Sequence, residues 1–420
     1  MLISFTVRNF LSIRDLQTLN LEARTDDHLE WSNVIQNGKH RLVKSVALFG
    51  PNASGKSNLL DALLWFRFLV VTSSRDSQAK DLIPVHPFAF STETEASPSY
   101  AEIEFIQNEM VYRYGFQVTA EKVISEWLYR KRSSAREAKL FTRSEQEIHV
   151  SGWLKEAKGL EKHTRENSLF LSVCSQLNVP EAKSIMEWMQ QLRYISGLAE
   201  QRYFRFTAKE FQRESKNTLL ADIARIADPT IVSIRSEIEE PDMETRLQKA
   251  DLLAAKSPRA EIKVTRQKYD ANGEAAGSVE FDLKEDESQG TRKFIALCGP
   301  IVQTLEEGLV LIVDEMEARL HPKLTQAIVD LFHSSTNTKN AQLIFATHDV
   351  TLLDPDRFRR DQIWFCEKDA KGGTDVFQLA EFDSDLVRPT SKFGKQYMLG
   401  IFGAVPELLH LEEAVSNAKK

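Results

Sequence analysis

The feature that most constrains this chain is a short apolar stretch that leads directly into a glycine-containing loop. Ser45–Phe49 (SVALF) has the length and apolar content of a buried strand, and Gly50–Ser57 (GPNASGKS) follows it without a break. Leucines then recur at helical spacing from Leu59 to Leu64. A strand, a tight loop and a helix in this order predict the beginning of an α/β fold.

The loop matches the pattern G-x-x-x-x-G-K-[ST]. Its glycines allow backbone N–H groups to close around phosphate groups, Lys56 reaches the β and γ oxygens, and the Ser57 hydroxyl ligates Mg²⁺. The alternative is a glycine-containing turn without a ligand, and the flanking strand and helix argue against it. We therefore expect a nucleoside triphosphate with Mg²⁺ at this loop.

A second element has the same strand-end character. The apolar residues 310–313 are followed by Asp314 and Glu315. In a fold with a phosphate loop, an Asp at a strand end holds Mg²⁺, and the adjacent Glu can orient and deprotonate the attacking water. Because many strands end in acidic residues, this pair alone indicates little, and it points to a Mg²⁺ site only in combination with the phosphate loop. A further strand ends before His348, which can hydrogen-bond the γ-phosphate or can be a solvated loop residue.

Ser288 and Gly290 lie at the start of a predicted helix, residues 290–306. A Ser and a Gly at a helix N-terminus can bind a second anion, because the first backbone N–H groups of a helix are unpaired and its dipole is positive there. The alternative is an ordinary N-cap. Two phosphate-binding helix starts in one subunit favour a dimer that holds ATP between two copies.

The rest of the chain supplies an antiparallel lobe and a helical segment. Alternating strands separated by turn signals between Ala101 and Tyr129 predict an antiparallel sheet. Alternating strands and helices from residue 290 onward predict a parallel sheet flanked by helices. We therefore divide the chain into three parts. These are an N-terminal half of the fold with the antiparallel lobe (1–180), a helical insertion (181–256) and a C-terminal half (257–420).

Composition excludes several classes of protein. The chain of 420 residues has a net charge of −7 and no apolar run long enough to span a bilayer, since Asp61 and Arg67 interrupt the longest candidate. The N-terminus lacks the pattern of a signal peptide, so we expect a cytoplasmic protein without a membrane segment. The three cysteines are far apart in apolar contexts and are predicted to be reduced core residues: Cys174, Cys298 and Cys366.

Two basic clusters leave the question of nucleic acid open. One lies around Arg130–Arg132, and the other, Arg202–Phe206, alternates arginine with aromatic residues, a pattern that can pair with phosphates and stack on bases. The alternatives are a solvated hairpin tip and an amphipathic helix with core aromatics. Arg357–Arg360 is predicted to pair with acids inside the fold. Asp383 and Asp385 have the spacing of a metal-binding pair, although a polar turn is the preferred interpretation.

The order of the phosphate loop, Ser-Gln-Gly-Thr, Asp-Glu and His resembles that of the ABC-type ATPase heads of the SMC, RecF and OLD families. Leu2–Ser12 is similar to their N-terminal strand and turn. This resemblance implies that Asp314 binds Mg²⁺, Glu315 is the catalytic base and His348 is a switch histidine. It also implies that Ser288 and Gly290 contact the γ-phosphate bound by the opposite subunit. The implied ATP-binding residues of the loop are Gly50, Asn52, Ser54, Gly55, Lys56, Ser57 and Asn58, with Ser57 also a ligand of Mg²⁺.

A closer resemblance is to the bacterial abortive-infection ATPases of the RloA/AbiL type, and more loosely to the ATPase subunits of the PARIS and Septu antiphage systems. It rests on GPNASGKSN, VYRYGF, ISEWLYRK, ESQGTRKF, DEMEARLHP, FATHD, RRDQIWFCEKD and YMLGIFGAVP. It implies an ABC-type α/β P-loop ATPase head with an antiparallel lobe and a helical insertion. It also implies a homodimer or larger ring, a nearby-encoded effector such as a nuclease or toxin, and a phage protein as trigger. Too few residues follow His348 for a nuclease domain of the OLD type, so we expect the effector on another polypeptide.

Two alternatives belong to other classes. A DNA-repair or chromosome-maintenance ATPase that clamps DNA needs a DNA-binding surface and usually a long coiled coil, and the sequence has no sustained heptad pattern. A transporter's nucleotide-binding subunit is disfavoured because ESQGT differs from LSGGQ and a membrane partner is required. The nucleotide-contacting Gln that these ATPase families carry in the inserted lobe is not placed by the sequence.

Overall fold

The computed structural model describes residues 1–406 except 77, 79, 133–134, 200, 239–259, 384–385 and 389. Internal contacts divide the chain into two compact units. The first unit is Met1–Tyr194 together with Gln342–Lys420, and the second is Ile195–Ala341. The boundaries expected at residues 180 and 256 stay a prediction, and residue 256 itself lies outside the described residues.

Both units contain strands and helices. In chain order, the strands are β1 (Leu2–Arg8), β2 (Gln17–Asn20), β3 (Val34–Asn37), β4 (His40–Val43), β5 (Ser45–Phe49), β6 (Ser99–Gln107), β7 (Met110–Val118), β8 (Val123–Arg132), β9 (Ala138–Ser144), β10 (Glu147–Val150), β11 (Leu192–Ser196), β12 (Ile231–Ile238), β13 (Ala260–Tyr269), β14 (Ala275–Asp282), β15 (Val310–Asp314), β16 (Gln342–Ala346), β17 (Ile363–Lys368) and β18 (Thr374–Gln378). The α-helices are α1 (Glu30–Asn33), α2 (Lys56–Thr72), α3 (Thr92–Glu95), α4 (Phe170–Gln176), α5 (Pro180–Gln190), α6 (Gln201–Phe211), α7 (Glu214–Ala227), α8 (Gln289–Glu307), α9 (Pro322–His333) and α10 (Phe393–Met398).

The first unit contains a seven-stranded sheet in the order β10-β9-β8-β7-β6-β1-β2. Neighbouring strands of this sheet are antiparallel, with Glu102 opposite Gly115 in the β6–β7 pair. Asn108 and Glu109 connect these two strands with φ angles of 48° and 62°, the left-handed pair that a tight hairpin turn requires. The antiparallel lobe predicted from residues 101–129 is confirmed, and it extends to β1, where Phe5 pairs with Ile103.

Helix α2 packs against this sheet through aromatic side chains. The Phe66 ring stacks on Phe116 at 5.1 Å between centroids, and Phe5 meets Phe66 edge-on at 5.8 Å. The Trp65 ring lies 4.9 Å from that of Phe10. Aromatic burial of this kind contributes strongly to core stability. The middle of the helix that follows the phosphate loop is therefore packed against the aromatic core of this sheet.

The first unit also contains the parallel strands β16, β5 and β17, with β18 added antiparallel at the edge. Ile344 lies opposite Val46 and Phe365 opposite Phe49 in the two parallel pairs. All five residues of β5 are buried, as expected for a strand covered on both faces. Because parallel strands end at the same sheet edge, Gly50 follows β5 at the edge where β16 also ends. The predicted α/β class is confirmed.

The second unit contains α6, α7, α8, the three-stranded sheet β12-β13-β14, β15 and α9. The β13–β14 turn lies at the predicted Asn272-Gly273, with Gly273 at a φ of 81°. The segment predicted as a helical insertion has three helices among its described residues, α5, α6 and α7, and the strands β11 and β12 accompany them. Among the described residues, no helix is both long and apolar enough to cross a bilayer.

Two further sequence predictions concern buried groups. The three cysteines are buried and unpaired, and burial raises the pKa of the Cys298 and Cys366 thiols to about 12. Arg359 is fully buried, and its guanidinium donates to the Asp361 carboxylate at 2.8 Å and lies 3.2 Å from Asp26. Reduced core cysteines and an internally paired arginine cluster are therefore confirmed.

Candidate nucleotide-binding site

The phosphate loop connects β5 to α2 in a conformation that depends on glycine. Gly55 is the N-cap of α2 and has a φ of 105°, which side-chain-bearing residues rarely adopt. A Cβ at this position would overlap the hydroxyl of Thr374. The loop backbone can therefore approach its surroundings closely, as a loop that binds phosphate through N–H groups must.

Lys56 crosses this loop with its side chain. Its ammonium donates to the carbonyl oxygens of Gly50 at 2.9 Å and Pro51 at 3.0 Å, and the residue is buried. The Ser54 hydroxyl is also buried and has no hydrogen-bond partner within the described part of the chain. A cation, an unsatisfied hydroxyl and a glycine-dependent helix start form a donor set that fits the phosphates of ATP. Asn52 is exposed at the loop surface, and Ser57 is half-buried in the first turn of α2.

A chain of hydrogen bonds supports the loop from below. The Thr374 hydroxyl donates to the carbonyl of Ser54 at 3.0 Å and lies 2.7 Å from the Ser12 hydroxyl. The Asn58 amide in turn donates to the Ser12 hydroxyl at 2.6 Å. Sequence reasoning did not single out Ser12 or Thr374, since neither belongs to the loop pattern and both lie far from it in the chain.

In the second unit, the Asp-Glu pair stands at a sharp corner after β15. Glu315 has a left-handed φ of 50°. The backbone N–H of Gly197 donates to the carbonyl of Asp314 at 2.7 Å, and a Cβ on Gly197 would overlap the carbonyl oxygen of Glu315. One carboxylate oxygen of Asp314 is buried without a hydrogen-bond partner among the described residues. Such an oxygen fits a bound cation or its water ligands, so Asp314 suits the predicted Mg²⁺ role.

The start of α8 lies against the segment that follows Glu315. A Cβ built on Gly290 would be 2.9 Å from the carbonyl oxygen of Arg319. The Ser288 hydroxyl accepts from the N–H of Thr291 at 3.1 Å, so Ser288 is the N-cap of α8. The N-cap interpretation of Ser288 is therefore confirmed, and its role toward a phosphate stays a prediction.

Lys293 is the most unexpected residue of this corner. Its side chain is fully buried, and its ammonium donates to the carbonyls of Met316 at 3.1 Å and Ala318 at 2.6 Å, with that of Glu315 at 3.4 Å. Sequence reasoning missed it. The available signal was a lysine at a position of α8 whose neighbours Phe294 and Leu297 belong to the buried face.

His348 is exposed immediately after β16, at the strand end where it was predicted. The next residue, Asp349, fixes the turn: its N–H donates to the Thr347 hydroxyl at 3.0 Å, and its carboxylate accepts from Thr351. The candidates therefore fall into two groups. The loop residues and His348 belong to the first unit, whereas Ser288, Gly290, Asp314 and Glu315 belong to the second.

Several residues of the two basic clusters have partners within the fold. Arg130 pairs with Glu181 at 2.7 Å and Lys131 with Glu104 at 3.1 Å. Tyr203 and Phe204 are buried in α6, as expected for core aromatics of an amphipathic helix. The Asp383–Asp385 candidate lies partly outside the described residues, which omit 384 and 385.

An α/β fold in which a glycine-dependent loop joins a buried strand to a helix, with a lysine across the loop, defines a P-loop nucleotide-binding protein. The chain belongs to the family described as "AAA domain, putative AbiEii toxin, Type IV TA system", whose model matches residues 45–354. Both the loop at 50–57 and the Asp-Glu corner lie within the matched segment.

The chain is also similar to solved SMC heads. It is 14% identical to the SMC head domain from Thermotoga maritima, with 90% of this chain and 98% of that chain covered and a TM-score of 0.42. It is 15% identical to a Smc head domain with an extended coiled coil bound to the C-terminal domain of ScpA, derived from Pyrococcus furiosus, with 90% and 96% covered and a TM-score of 0.40. No curated protein matches the chain.

Proposed function

We propose that this chain is an ATP-hydrolysing sensor and scaffold subunit of an antiphage, abortive-infection-type system that controls a separate effector. The phosphate loop carries the ATP-binding part of the proposal, because its glycine geometry, the buried Lys56 ammonium and the unsatisfied Ser54 hydroxyl together suit a triphosphate. The description of the family, which names a toxin of a toxin–antitoxin system, supports the defence role.

In this proposal each residue has a separate role. Lys56 would exchange its loop carbonyls for phosphate oxygens, and Ser57 and Asp314 are the residues that would hold Mg²⁺, as the resemblance to ABC-type heads implies. When bound, the metal neutralises charge on the phosphates. The Glu315 carboxylate accepts a proton from the attacking water, so that ATP and water give ADP and phosphate. His348 hydrogen-bonds the γ-phosphate and reports its presence to the turn after β16.

The assembly part of the proposal rests on the resemblance to ABC-type heads. Two copies bind two ATP molecules between them, with Ser288 and Gly290 of each copy directed to the nucleotide of the other. Hydrolysis reopens the pair, which can also join a larger ring. The effector, a nuclease or toxin encoded nearby, is held or released according to this cycle, and a phage protein is the trigger.

Two substitutions test the proposal. Lys56→Ala removes the phosphate-binding cation and is expected to lower both ATP affinity and turnover by at least about 100-fold. Glu315→Gln keeps ATP binding but removes the base, so turnover alone falls about 100-fold or more. Both variants should remain folded and lose protection in a plaque assay. Wild-type protection by either folded variant would contradict the defence role.

The effector is sought with the Glu315→Gln protein, which is expected to accumulate in the ATP-bound state. It is purified from its own host with the neighbouring genes intact, and the masses of the accompanying proteins are determined. A stoichiometric nuclease or toxin encoded next to this gene supports the proposal. Co-purified DNA without a protein, together with DNA-stimulated hydrolysis that falls steeply with salt, would replace it with a DNA clamp.

A further inference from the structure

The ammonium group of Lys293 is buried inside the second unit among backbone carbonyls. The residue is fully buried, and the carbonyls of Glu315, Met316 and Ala318 lie 3.4, 3.1 and 2.6 Å from Nζ. An ammonium group has three N–H donors and no acceptor. Burying a charge is costly unless hydrogen bonds replace its water. The three carbonyls therefore replace water as acceptors for the buried ammonium group.

These carbonyls belong to the turn that carries the candidate catalytic base. Glu315 and Arg319 have φ angles of 50° and 62°, which are unfavourable for side-chain-bearing residues and persist only where the surroundings impose them. Internal bonds help, since the N–H of Ala318 donates to the Glu315 carbonyl at 3.1 Å and that of Leu320 to Glu317 at 2.8 Å. Lys293 adds a charged donor at the centre of the turn. It thereby fixes the backbone position from which the Glu315 side chain extends.

Lys293 also connects this turn to the start of α8. It lies less than one helical turn beyond Gly290, whose Cα faces the Arg319 carbonyl, and Ser288 caps the same helix end. The approach of Gly290 to Arg319 and the Lys293 hydrogen bonds thus join the start of α8 to the Glu315 turn.

We propose that Lys293 is a positioning residue for ATP hydrolysis, which holds the Glu315 turn in its working conformation and couples it to the Ser288–Gly290 end of α8. This inference rests on the proposed ATPase function. It predicts that loss of the Lys293 ammonium impairs the hydrolysis step and leaves nucleotide binding at the phosphate loop intact.

The test compares Lys293→Met with the wild type in the full chain. Methionine keeps the length and apolar stem but cannot donate to the three carbonyls. We expect kcat to fall about tenfold to 100-fold, while the affinity for a fluorescent ATP analogue in the presence of Mg²⁺ changes less than about threefold. Hydrogen exchange provides a readout independent of activity, and the Ala318 and Leu320 amides should exchange faster in the variant.

Further variants keep the result interpretable. Lys209→Met replaces an exposed lysine of α6 and should leave kcat and exchange unchanged. Lys293→Arg retains a charged donor and should recover part of kcat, which a general packing defect would not explain. If Lys293→Met does not fold, Lys293→Gln, which keeps a neutral N–H donor, takes its place, and it should lower kcat while the analogue binds normally.

The outcomes separate the two proposals. Wild-type kcat in a folded Lys293→Met protein, with Lys56→Ala and Glu315→Gln inactive, overturns the role of Lys293 and leaves the ATPase proposal intact. A parallel loss of ATP affinity and kcat in Lys293→Met also overturns it, since the defect would then not be confined to hydrolysis. Absence of ATP hydrolysis by the wild-type protein refutes the ATPase proposal itself, whereas wild-type hydrolysis by Lys56→Ala or Glu315→Gln refutes the role given to that residue.

Discussion

Two buried lysines, one in each unit, bind backbone carbonyls next to the end of a buried strand. Lys56 donates to Gly50 and Pro51, which follow β5, at 2.9 and 3.0 Å. Lys293 donates to Met316 and Ala318, which follow β15, at 3.1 and 2.6 Å. In both cases a lysine ammonium donates to backbone carbonyls. The two lysines differ in whether a ligand can take the place of those carbonyls.

Lys56 donates to carbonyls of the loop that it belongs to, and Gly50 lies only six residues before it. Phosphate oxygens are stronger acceptors than these loop carbonyls. Lys293 reaches a turn 22 to 25 residues further along the chain and has no exposed surface. One lysine can therefore exchange its partners for a ligand, whereas the other is fixed to the backbone. If both proposals hold, nucleotide binding requires Lys56 but not Lys293, and we expect mutation of Lys293 to separate turnover from binding.

The largest effect is expected from Gly55→Ala, at the phosphate-loop side of the comparison. Position 55 has a φ of 105°, which alanine rarely adopts, and the new Cβ would overlap the Thr374 hydroxyl, so the loop must open. We expect ATP affinity to fall about 100-fold and the free energy of unfolding to fall by more than about 1 kcal/mol. Titration with a fluorescent ATP analogue and chemical denaturation measure the two quantities.

The matched control for this substitution is Gly152→Ala. A Cβ at Gly152 has nothing within 4 Å, and no strained φ is involved. Its ATP affinity and stability should equal those of the wild type. Normal ATP binding by the Gly55→Ala protein would show that the loop does not hold the nucleotide. The assignment of nucleotide binding to the loop and Lys56 would then fail.

A smaller and more selective effect is expected from Gly197→Ala, at the Asp-Glu corner. The added Cβ overlaps the carbonyl oxygen of Glu315 and displaces the turn that Lys293 holds. We expect kcat to fall about tenfold or more with ATP affinity within about threefold of the wild type, as measured by steady-state hydrolysis and analogue binding. A loss of affinity equal to that of Gly55→Ala would break the separation between the two corners.

The difference between the phosphate loop and the Asp-Glu corner also explains which residues could be predicted from the sequence and which could not. The phosphate loop at 50–57 is formed by residues that are contiguous in the sequence, together with the strand before it and the helix after it. The sequence motif is therefore sufficient to predict them. Lys293 and Gly197 act on Glu315 from distant parts of the chain. Nothing in a linear pattern distinguishes a lysine that meets three carbonyls from one that snorkels to solvent.

The same holds for the sheets. Alternating residues predicted β6, β7 and β8 because each strand shows its own two-residue period. The pairing of β1 with β6, with Thr6 opposite Glu102, depends on the register between distant segments and was not predicted. Helix α8 was predicted to begin at residue 290 and begins at Gln289, because its Ser288 cap is a local signal.

The smallest effect sharpens the comparison at the support of the phosphate loop. Thr374 donates to the Ser54 carbonyl at 3.0 Å and lies 2.7 Å from the Ser12 hydroxyl. Thr374→Val keeps the shape but leaves both groups without this partner, at a cost of about 1 kcal/mol or slightly more, so ATP affinity should fall about fivefold. Thr374→Ser keeps the hydroxyl and should bind the fluorescent analogue nearly as the wild type does. Equal affinities of the two variants would mean that the hydroxyl does not set the loop, and that Gly55 and Lys56 determine its shape alone.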